Sequence, residues 1–404
     1  MTTDRREFLA AGTAALLSGA VTESARGFVA NDTLRIGCIG TGGRCRALMK
    51  SLVQIPNVKI TAVCDIWDAN LAEGKKLADK DAFSTKQYED LLARKDVDAV
   101  LIGSPDHWHV ALTVAACAAG KDVYVEKPLT HDLSEGTAVI EAQNKHKRIV
   151  QVGTQQRSMT HIAKAYELYK AGTIGQVHKV HCTWNRNAAR AQRFKDGIDI
   201  KTVDWKRFLG TAKEQAFDPY RFRQWRWFWD FGGGIFTDLM VHWIDVVHWF
   251  LDLDHPQTAA SVGDFYSAKD VWETPDTVQT LLRYPDKEVQ VYFEGTFSSN
   301  RNGSMLEFMG SEGTLYMDRG RYEVIPDRDK KLPPSSLILG TDQRRGLDFY
   351  DKPDGELLHL SSWVEAVRAR KKPSCPAEAG VSSAGAAHLA NQSLRTGQVA
   401  VWKS

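Results

Sequence analysis

The chain has 404 residues, a formal net charge of +2, 43% hydrophobic and 25% charged residues, and six cysteines. The length suggests about two to three domains with a core that needs no covalent staples. A charge so near zero gives no footing for nucleic-acid or membrane-surface binding. None of Cys38, Cys45, Cys64, Cys117, Cys182 and Cys375 forms a Cys-x-x-Cys pair. That argues against a structural zinc, a thioredoxin-like motif and a disulfide framework, and leaves the cysteines as small buried hydrophobes.

Arg5-Arg6-Glu7-Phe8-Leu9 is a twin-arginine pattern, followed by an uncharged, small and apolar run to Val21 and by Ser18-Gly19-Ala20 as a cleavage site. In that order they predict an export signal of the twin-arginine type, too short for a membrane span. Residues 1–30 are therefore read as signal and linker. The mature protein is expected to be periplasmic or exported, with no membrane attachment after cleavage. This route carries proteins already folded, so a cofactor can be loaded before export.

Residues 31–152 read as a dinucleotide-binding domain. A buried strand over 34–39 runs into Gly40-Thr41-Gly42-Gly43-Arg44-Cys45 and a helix reaching residue 52. Gly40 and Gly42 permit a tight turn and close approach of backbone to a pyrophosphate at a helix N-terminus. Cys45 stands where the fingerprint has a third glycine. A second strand, 58–64, ends at Asp65, placed to accept from ribose hydroxyls or to cap a helix. A carboxylate there favours NAD over NADP. Helices (69–78, 88–93, 109–119, 134–146) then alternate with strands (99–103, 123–125, 149–152), predicting a parallel sheet covered on both faces. Its ligand belongs at the carboxyl ends of the strands, where Ser104-Pro105-Asp106-His107-Trp108-His109, Glu126-Lys127-Pro128 and Val152 to Arg157 fall. Gly40, Gly42, Gly43, Arg44, Asp65, Ser104, Pro105, His109, Glu126 and Lys127 are the candidate cofactor contacts. Lys127 can hydrogen-bond a substrate oxygen, or sit at the surface paired with Glu126. His107 and His109 lack a third ligand nearby, so no metal site is expected.

Residues 153–404 have a different texture. A helix (159–171) and an alternating strand (176–185) precede strand-like runs at 277–284, 288–297, 304–310 and 313–317, as in a mostly antiparallel sheet. Residues 327–348 read as a polar loop, and 357–370 and 380–396 as closing helices. Within Phe231 to Leu251 a helix is expected from near Ile235. Asp238, His242 and Asp245 are spaced four and three apart on one of its faces, with Trp249 a turn later. His242 can act as general acid or base with Asp238 orienting it, or the two can form a structural pair tying domains together. Upstream, Trp225, Trp227 and Trp229 alternate, suiting either sugar C–H faces or a core. Arg157, Asp245 and Trp225 are the candidate substrate contacts.

Taken together, the glycine turn, Asp65, Ser104-Pro105-Asp106, Glu126-Lys127-Pro128, Asp238-Leu-Met-Val-His242 and Lys371-Lys372-Pro373 resemble the glucose–fructose oxidoreductase / inositol dehydrogenase / MocA family, from about Leu34 to Trp402. The resemblance implies an α/β chain with an N-terminal Rossmann doubly wound parallel sheet. A C-terminal α+β domain would follow, carrying an open, mostly antiparallel sheet that is often an oligomer contact; a homo-oligomer is thus expected. It also implies that Lys127 and His242 handle the proton of a hydroxyl whose carbon exchanges hydride with NAD, while Asp238 orients the substrate.

Two functions stay open on the sequence. One is an exported oxidoreductase acting on a sugar or polyol, with a tightly bound NAD regenerated in place. The other is a redox-neutral, NAD-dependent glycosidase or lyase working through a transient keto-sugar, with His181, His161 or Tyr166 as candidates for the extra base it needs.

Overall fold

The computed structural model describes residues 33–187, 197–339 and 354–403. The expected export signal lies outside them. The first sheet has six strands, all parallel: β1 (Leu34–Ile39), β2 (Val58–Cys64), β3 (Phe83–Thr85), β4 (Ala99–Ile102), β5 (Asp122–Val125) and β6 (Val150–Val152), in the order β3-β2-β1-β4-β5-β6. Strands β4, β5 and β6 are buried along their whole length. That is why β4, Ala-Val-Leu-Ile, reads as an unbroken apolar run rather than an alternating one. The connecting helices are α1 (Gly43–Leu52), α2 (Asp68–Leu77), α3 (Tyr88–Leu92), α4 (His109–Ala118) and α5 (Gly136–His146). Strand order reverses between β1 and β4, and the crevice above that point is where such sheets hold ligands. The strand β3 was not anticipated; three residues are too few to show a period.

After α6 (Thr160–Lys170), the chain enters a nine-stranded sheet ordered β14-β13-β12-β11-β7-β10-β9-β8-β15. Its central strand β7 (Val177–Asn185) pairs in parallel with β10 (Val289–Thr296). The other pairings, among β8 (Thr258–Asp264), β9 (Thr277–Tyr284), β11 (Ser304–Gly310), β12 (Gly313–Asp318), β13 (Arg321–Pro326), β14 (Ser335–Ile338) and β15 (Ala400–Val401), are antiparallel. The strand β9 alternates buried and exposed residues, as a sheet with one covered face requires. Strand β14 falls inside the segment expected to be a loop, and residues 340–348 of that segment lie outside the described ones. Strands β8 and β13 carry too many polar residues to announce themselves.

Between the sheets run short α7 (Trp205–Leu209) and α8 (Pro219–Arg223), then a π-helical turn, Phe236–Met240, leading into α9 (Val241–Leu251). The helix expected from Ile235 thus carries one wide turn at its start. The closing helices divide their allegiance. Leu360, Trp363, Val364 and Val367 of α10 (Asp354–Ala369) share a core with Leu34 and Ile36 of the first sheet and Leu48 of α1. Residues of α11 (Ala377–Thr396) pack with α9 and β8.

Candidate active site

A cavity of about 560 Å³ opens above the switch point, lined by Gly40, Gly42, Gly43, Arg44, Asp65, Ser104, Pro105, Trp225 and Arg226 among others. Gly40 sits at φ +77°, and a Cβ there would lie 2.7 Å from the Ser104 nitrogen, so the turn needs glycine twice over. Gly42 and Gly43 differ. A Cβ on Gly42 would meet only Asn70 Nδ2, at 3.8 Å, and one on Gly43 would meet nothing within 4 Å. The protein's own packing asks for neither glycine, whereas a pyrophosphate resting on the N-terminus of α1 would. The residues present therefore fit a dinucleotide. The fingerprint's third glycine is replaced by a swap of sides: Cys45 is fully buried, and Gly103 at the end of β4 gives up its side chain, since a Cβ there would stand 2.7 Å from Cys45 Cβ.

Asp65 follows β2 and is buried at the cavity wall, its Oδ1 accepting from the Trp67 amide at 2.9 Å. It does not cap α2, whose N-cap is Trp67. Burial raises its pKa to about 6, against the pull of the Trp67 amide, Asn70 and Arg46. The Arg46 guanidinium donates to Thr41 O (2.6 Å) and Asn70 Oδ1 (3.1 Å), so its own hydrogen bonds are local.

The loops after β4 and β5 are strapped together by His109. Its ring nitrogens lie 2.6 Å from Pro128 O and 2.9 Å from Ser104 O. Burial pulls its pKa to about 4 although both carbonyls favour the protonated ring. His109 is thus fully engaged inside the protein, while Ser104 and Pro105 line the cavity. Glu126 pairs with Arg44 (3.1 Å), not with Lys127. The Arg44 guanidinium is also bonded to Glu356 of α10, whose other oxygen takes the Ser51 hydroxyl at 2.6 Å. Arg44 reaches the cavity but its charge is already matched.

Lys127 crosses to the second domain. Its Nζ donates to Asp238 O at 2.6 Å and Asp238 Oδ1 at 3.0 Å, and Arg226 Nε donates to the same Oδ1 at 3.0 Å. The π-helical turn puts Asp238 there; wide turns of this kind recur at functional sites. Burial opposes ionisation of Asp238, but Lys127 and Arg226 outweigh it and hold the carboxyl below the usual carboxylate range. His242, one turn on, is kept neutral by burial and then by Lys127, which its pair with Asp238 does not offset. The imidazole stacks on Trp184 of β7 (centroids 5.1 Å apart), and its Nδ1 has no hydrogen-bond partner among the described residues. Two members of this cluster were not singled out from sequence as site residues. Asp106 is buried beside it, and burial raises its pKa well above the usual range despite Lys127 and Arg226. Arg226 stacks on Trp225 (4.2 Å) and joins the cavity to Asp238. A basic residue among alternating tryptophans carries no positional signal.

Arg157 and Asp245, expected against substrate, spend their polar atoms on each other. Arg157 Nε and Nη2 meet Asp245 Oδ2 and Oδ1 at 2.6 and 2.9 Å, with Asp245 fully buried. This pair ties the turn after β6 to α9. Trp225 lines the cavity, whereas Trp227 is buried and stacked on Trp272 at 4.3 Å. The alternating tryptophans thus divide between a cavity wall and the core, and Trp225 and Trp227 lie in a short helical turn. All six cysteines are buried and unbridged. Among the described residues, no cluster of three or more His, Cys, Asp or Glu could hold a metal, and no helix is long and apolar enough to cross a membrane.

Chemically, the site offers a cradle for a dinucleotide next to an ammonium, a carboxylate held ionised and a neutral imidazole. Comparison with known proteins agrees. Residues 34–154 match the model for an oxidoreductase family with an NAD-binding Rossmann fold, and residues 167–401 match that family's C-terminal alpha/beta domain. The chain is 24% identical over 364 residues to a myo-inositol 2-dehydrogenase of Thermotoga maritima, covering 89% of this chain and 96% of that one. It is 29% identical over 225 residues to an inositol 2-dehydrogenase/D-chiro-inositol 3-dehydrogenase of Shouchella clausii, covering 54% of each. A levoglucosan dehydrogenase solved with NADH and levoglucosan superposes with a TM-score of 0.71 at 17% identity, covering 92% of this chain and 100% of that one.

Proposed function

The chain belongs to the oxidoreductase family of those two matched domains, and we propose that it oxidises a secondary hydroxyl of a sugar or polyol with a tightly held NAD. The observation that carries this reading is the Lys127–Asp238–His242 cluster set beside the glycine cradle. Gly40, Gly42 and Gly43 would hold the pyrophosphate on the start of α1, and Asp65 the adenosine ribose. When bound, NAD supplies the hydride acceptor.

The protein's own groups manage the proton. Lys127 uses two of its three N–H bonds on Asp238, leaving one for the substrate hydroxyl oxygen. That hydrogen bond stabilises the oxygen as negative charge develops on it. Neutral His242 accepts the hydroxyl proton, and burial and Lys127 disfavour the imidazolium, so the proton is then released to solvent and the imidazole returns to its neutral form. Asp238 holds the Lys127 ammonium in place through its carbonyl and carboxylate oxygens. Arg226 and Trp225 close the side toward the cavity.

The twin-arginine pattern supports export of the folded, loaded protein. An exported enzyme meets no cytoplasmic NAD pool, so we infer that a second carbonyl substrate regenerates its cofactor. The test is to purify the protein without added nucleotide, denature it and count released NAD(H). About one per chain, followed by oxidation of inositols or sugars without added NAD, is the expected result. Empty protein that oxidises sugar only while consuming free NAD would overturn the captive cofactor. Cleavage of glycosides with free sugars inert would move the reading to the redox-neutral glycosidase.

A further inference from the structure

A second cavity, of about 500 Å³, lies on the far side of the glycine segment that leads into the π-helical turn. The two cavities share a thin wall. Gly232 lines the second one, and a Cβ on it would stand 2.9 Å from the Cα of Arg226, which lines the first. The floor of the second cavity is made by Asn391 of α11. Its Nδ2 donates to Gly233 O at 2.8 Å, which fixes the amide's orientation and turns Oδ1 away from that bond. Asn391 is 7% exposed, and its Oδ1 is buried with no hydrogen-bond partner among the described residues. That oxygen is closed off from the cavity, so the groups able to meet a ligand are the exposed ones on the walls.

The walls are equally specific. Trp229 is half-buried, anchored through its indole N–H on Glu273 O at 3.0 Å, and Arg395 lies over its ring at 5.0 Å. Arg395 forms no ion pair among the described residues, so its donors remain available. Burial lowers the pKa of His388 to about 4, and that of His131 below its ordinary value. At neutral pH the lining therefore carries one positive charge, Arg395, and one negative charge, Asp132. A free planar donor, an exposed carboxylate and an aromatic face, with no net charge, match the donors, acceptors and C–H faces of a neutral polyhydroxylated molecule.

We propose that this cavity is a second saccharide site, taking a neutral sugar or polyol, separate from the site where hydride transfer is proposed. Its hydroxyls donate to the exposed Asp132 carboxylate and accept from Arg395. The inference does not depend on the chemistry assigned to the first cavity.

Local observation at Trp229 tests it. The full chain, with its 12 tryptophans replaced by 5-fluorotryptophan, is titrated with D-glucose, myo-inositol and D-gluconate. The Trp229 fluorine resonance is assigned from Trp229→Phe. The expected result is a saturable shift of that line with a neutral probe and a weaker effect of gluconate. Arg395→Ala, at an exposed position, should weaken the response by about tenfold or more, the loss of hydrogen bonds to a charged donor, while turnover at the first cavity is kept. A shift unchanged in Arg395→Ala would mean a signal relayed from the first cavity, and would overturn the proposal. So would a response to gluconate alone, a line that moves only with protein concentration, or no shift with any probe. Loss of turnover in the unmodified enzyme would count against the proposed reaction and leave this result readable.

Discussion

The same stretch of chain, from the π-helical turn through α9, receives two basic side chains, Lys127 from the first domain and Arg157 from the turn after β6, each onto an aspartate and each with a histidine nearby. At one, Arg157 grips Asp245 with both forks at 2.6 and 2.9 Å, and Asp245 is completely buried. Its histidine, His359, is satisfied at both nitrogens, by Ser158 Oγ at 2.8 Å and Val152 O at 2.9 Å. At the other, Lys127 and Arg226 share one oxygen of Asp238, whose side chain keeps 14% exposure, and His242 keeps an unpartnered Nδ1. The residue classes match and the bonding does not. In the bidentate pair both carboxylate oxygens of Asp245 are engaged by Arg157, while a single ammonium on a shared carboxylate retains a donor. Structure and chemistry are told apart by unspent hydrogen bonds, not by residue type.

The contrast makes opposite predictions for the two cations. Lys127→Ala should lower turnover by roughly 10²–10⁴-fold, the usual weight of a positioned acid–base group, measured by steady-state kinetics on a sugar or inositol panel. Its melting temperature should change little, because Arg226 still pairs Asp238. Arg157→Met should do the reverse. Removing one partner of a buried pair strands Asp245 and costs roughly 3–5 kcal/mol in urea unfolding, while turnover per folded molecule stays within a few-fold. If Arg157→Met instead abolished turnover without destabilising the protein, the closed pair would belong to the site.

Much of this was legible in the sequence, and the failures have physical reasons. The parallel sheet announced itself because β4 and β5 are buried on both faces. The spacing of Asp238 and His242 brought the two together at the start of one helix, where the structure also has them. It could not sort Asp245 from them, since one face of a helix is shared by residues that meet different partners. Those partners are remote in sequence: 111 residues for Lys127 with Asp238 and 88 for Arg157 with Asp245. The role of α10 was hidden likewise. Trp363 completes the core under β1, and Glu356 meets Ser51 across 305 residues, which no local pattern encodes. Asp106 was noticed only as part of a motif, because a buried carboxyl and a solvated one look alike in sequence.

The two histidines sharpen the comparison through pH. Burial lowers the pKa of His359 to about 4, from an ordinary value near 6.5. Between those values the unfolded chain binds a proton that the folded chain refuses. Stability is therefore full above about pH 6.5 and falls as pH drops toward 4, by about 3 kcal/mol for this one group. Urea unfolding at pH 7.5, 6 and 5 should show the loss, and His359→Gln should flatten the slope while lowering stability at pH 7.5. Turnover should hold across the upper part of the same window, because His242 is also kept neutral well below its ordinary pKa. A turnover loss centred near pH 6.5 that disappears in His242→Gln would show that the open histidine is not held neutral.

The smallest expected effect tests whether the open cluster extends to the wall behind it. Trp184 is 4% exposed, stacks on His242 with rings inclined by 28°, and carries a buried Nε1–H with no partner among the described residues. Arg319 lies over the same ring at 5.5 Å. Trp184→Phe keeps an aromatic face against the imidazole and removes only the indole donor and part of the ring's bulk. If that N–H serves a substrate hydroxyl, KM should rise roughly 2–10-fold, one neutral hydrogen bond, with kcat little changed. The fold should lose at most about 1–2 kcal/mol, since the void left by the smaller ring is partly offset by removal of an unsatisfied donor. A KM unchanged alongside the same small loss of stability would confine Trp184 to packing, and the open side of the cluster would end at His242.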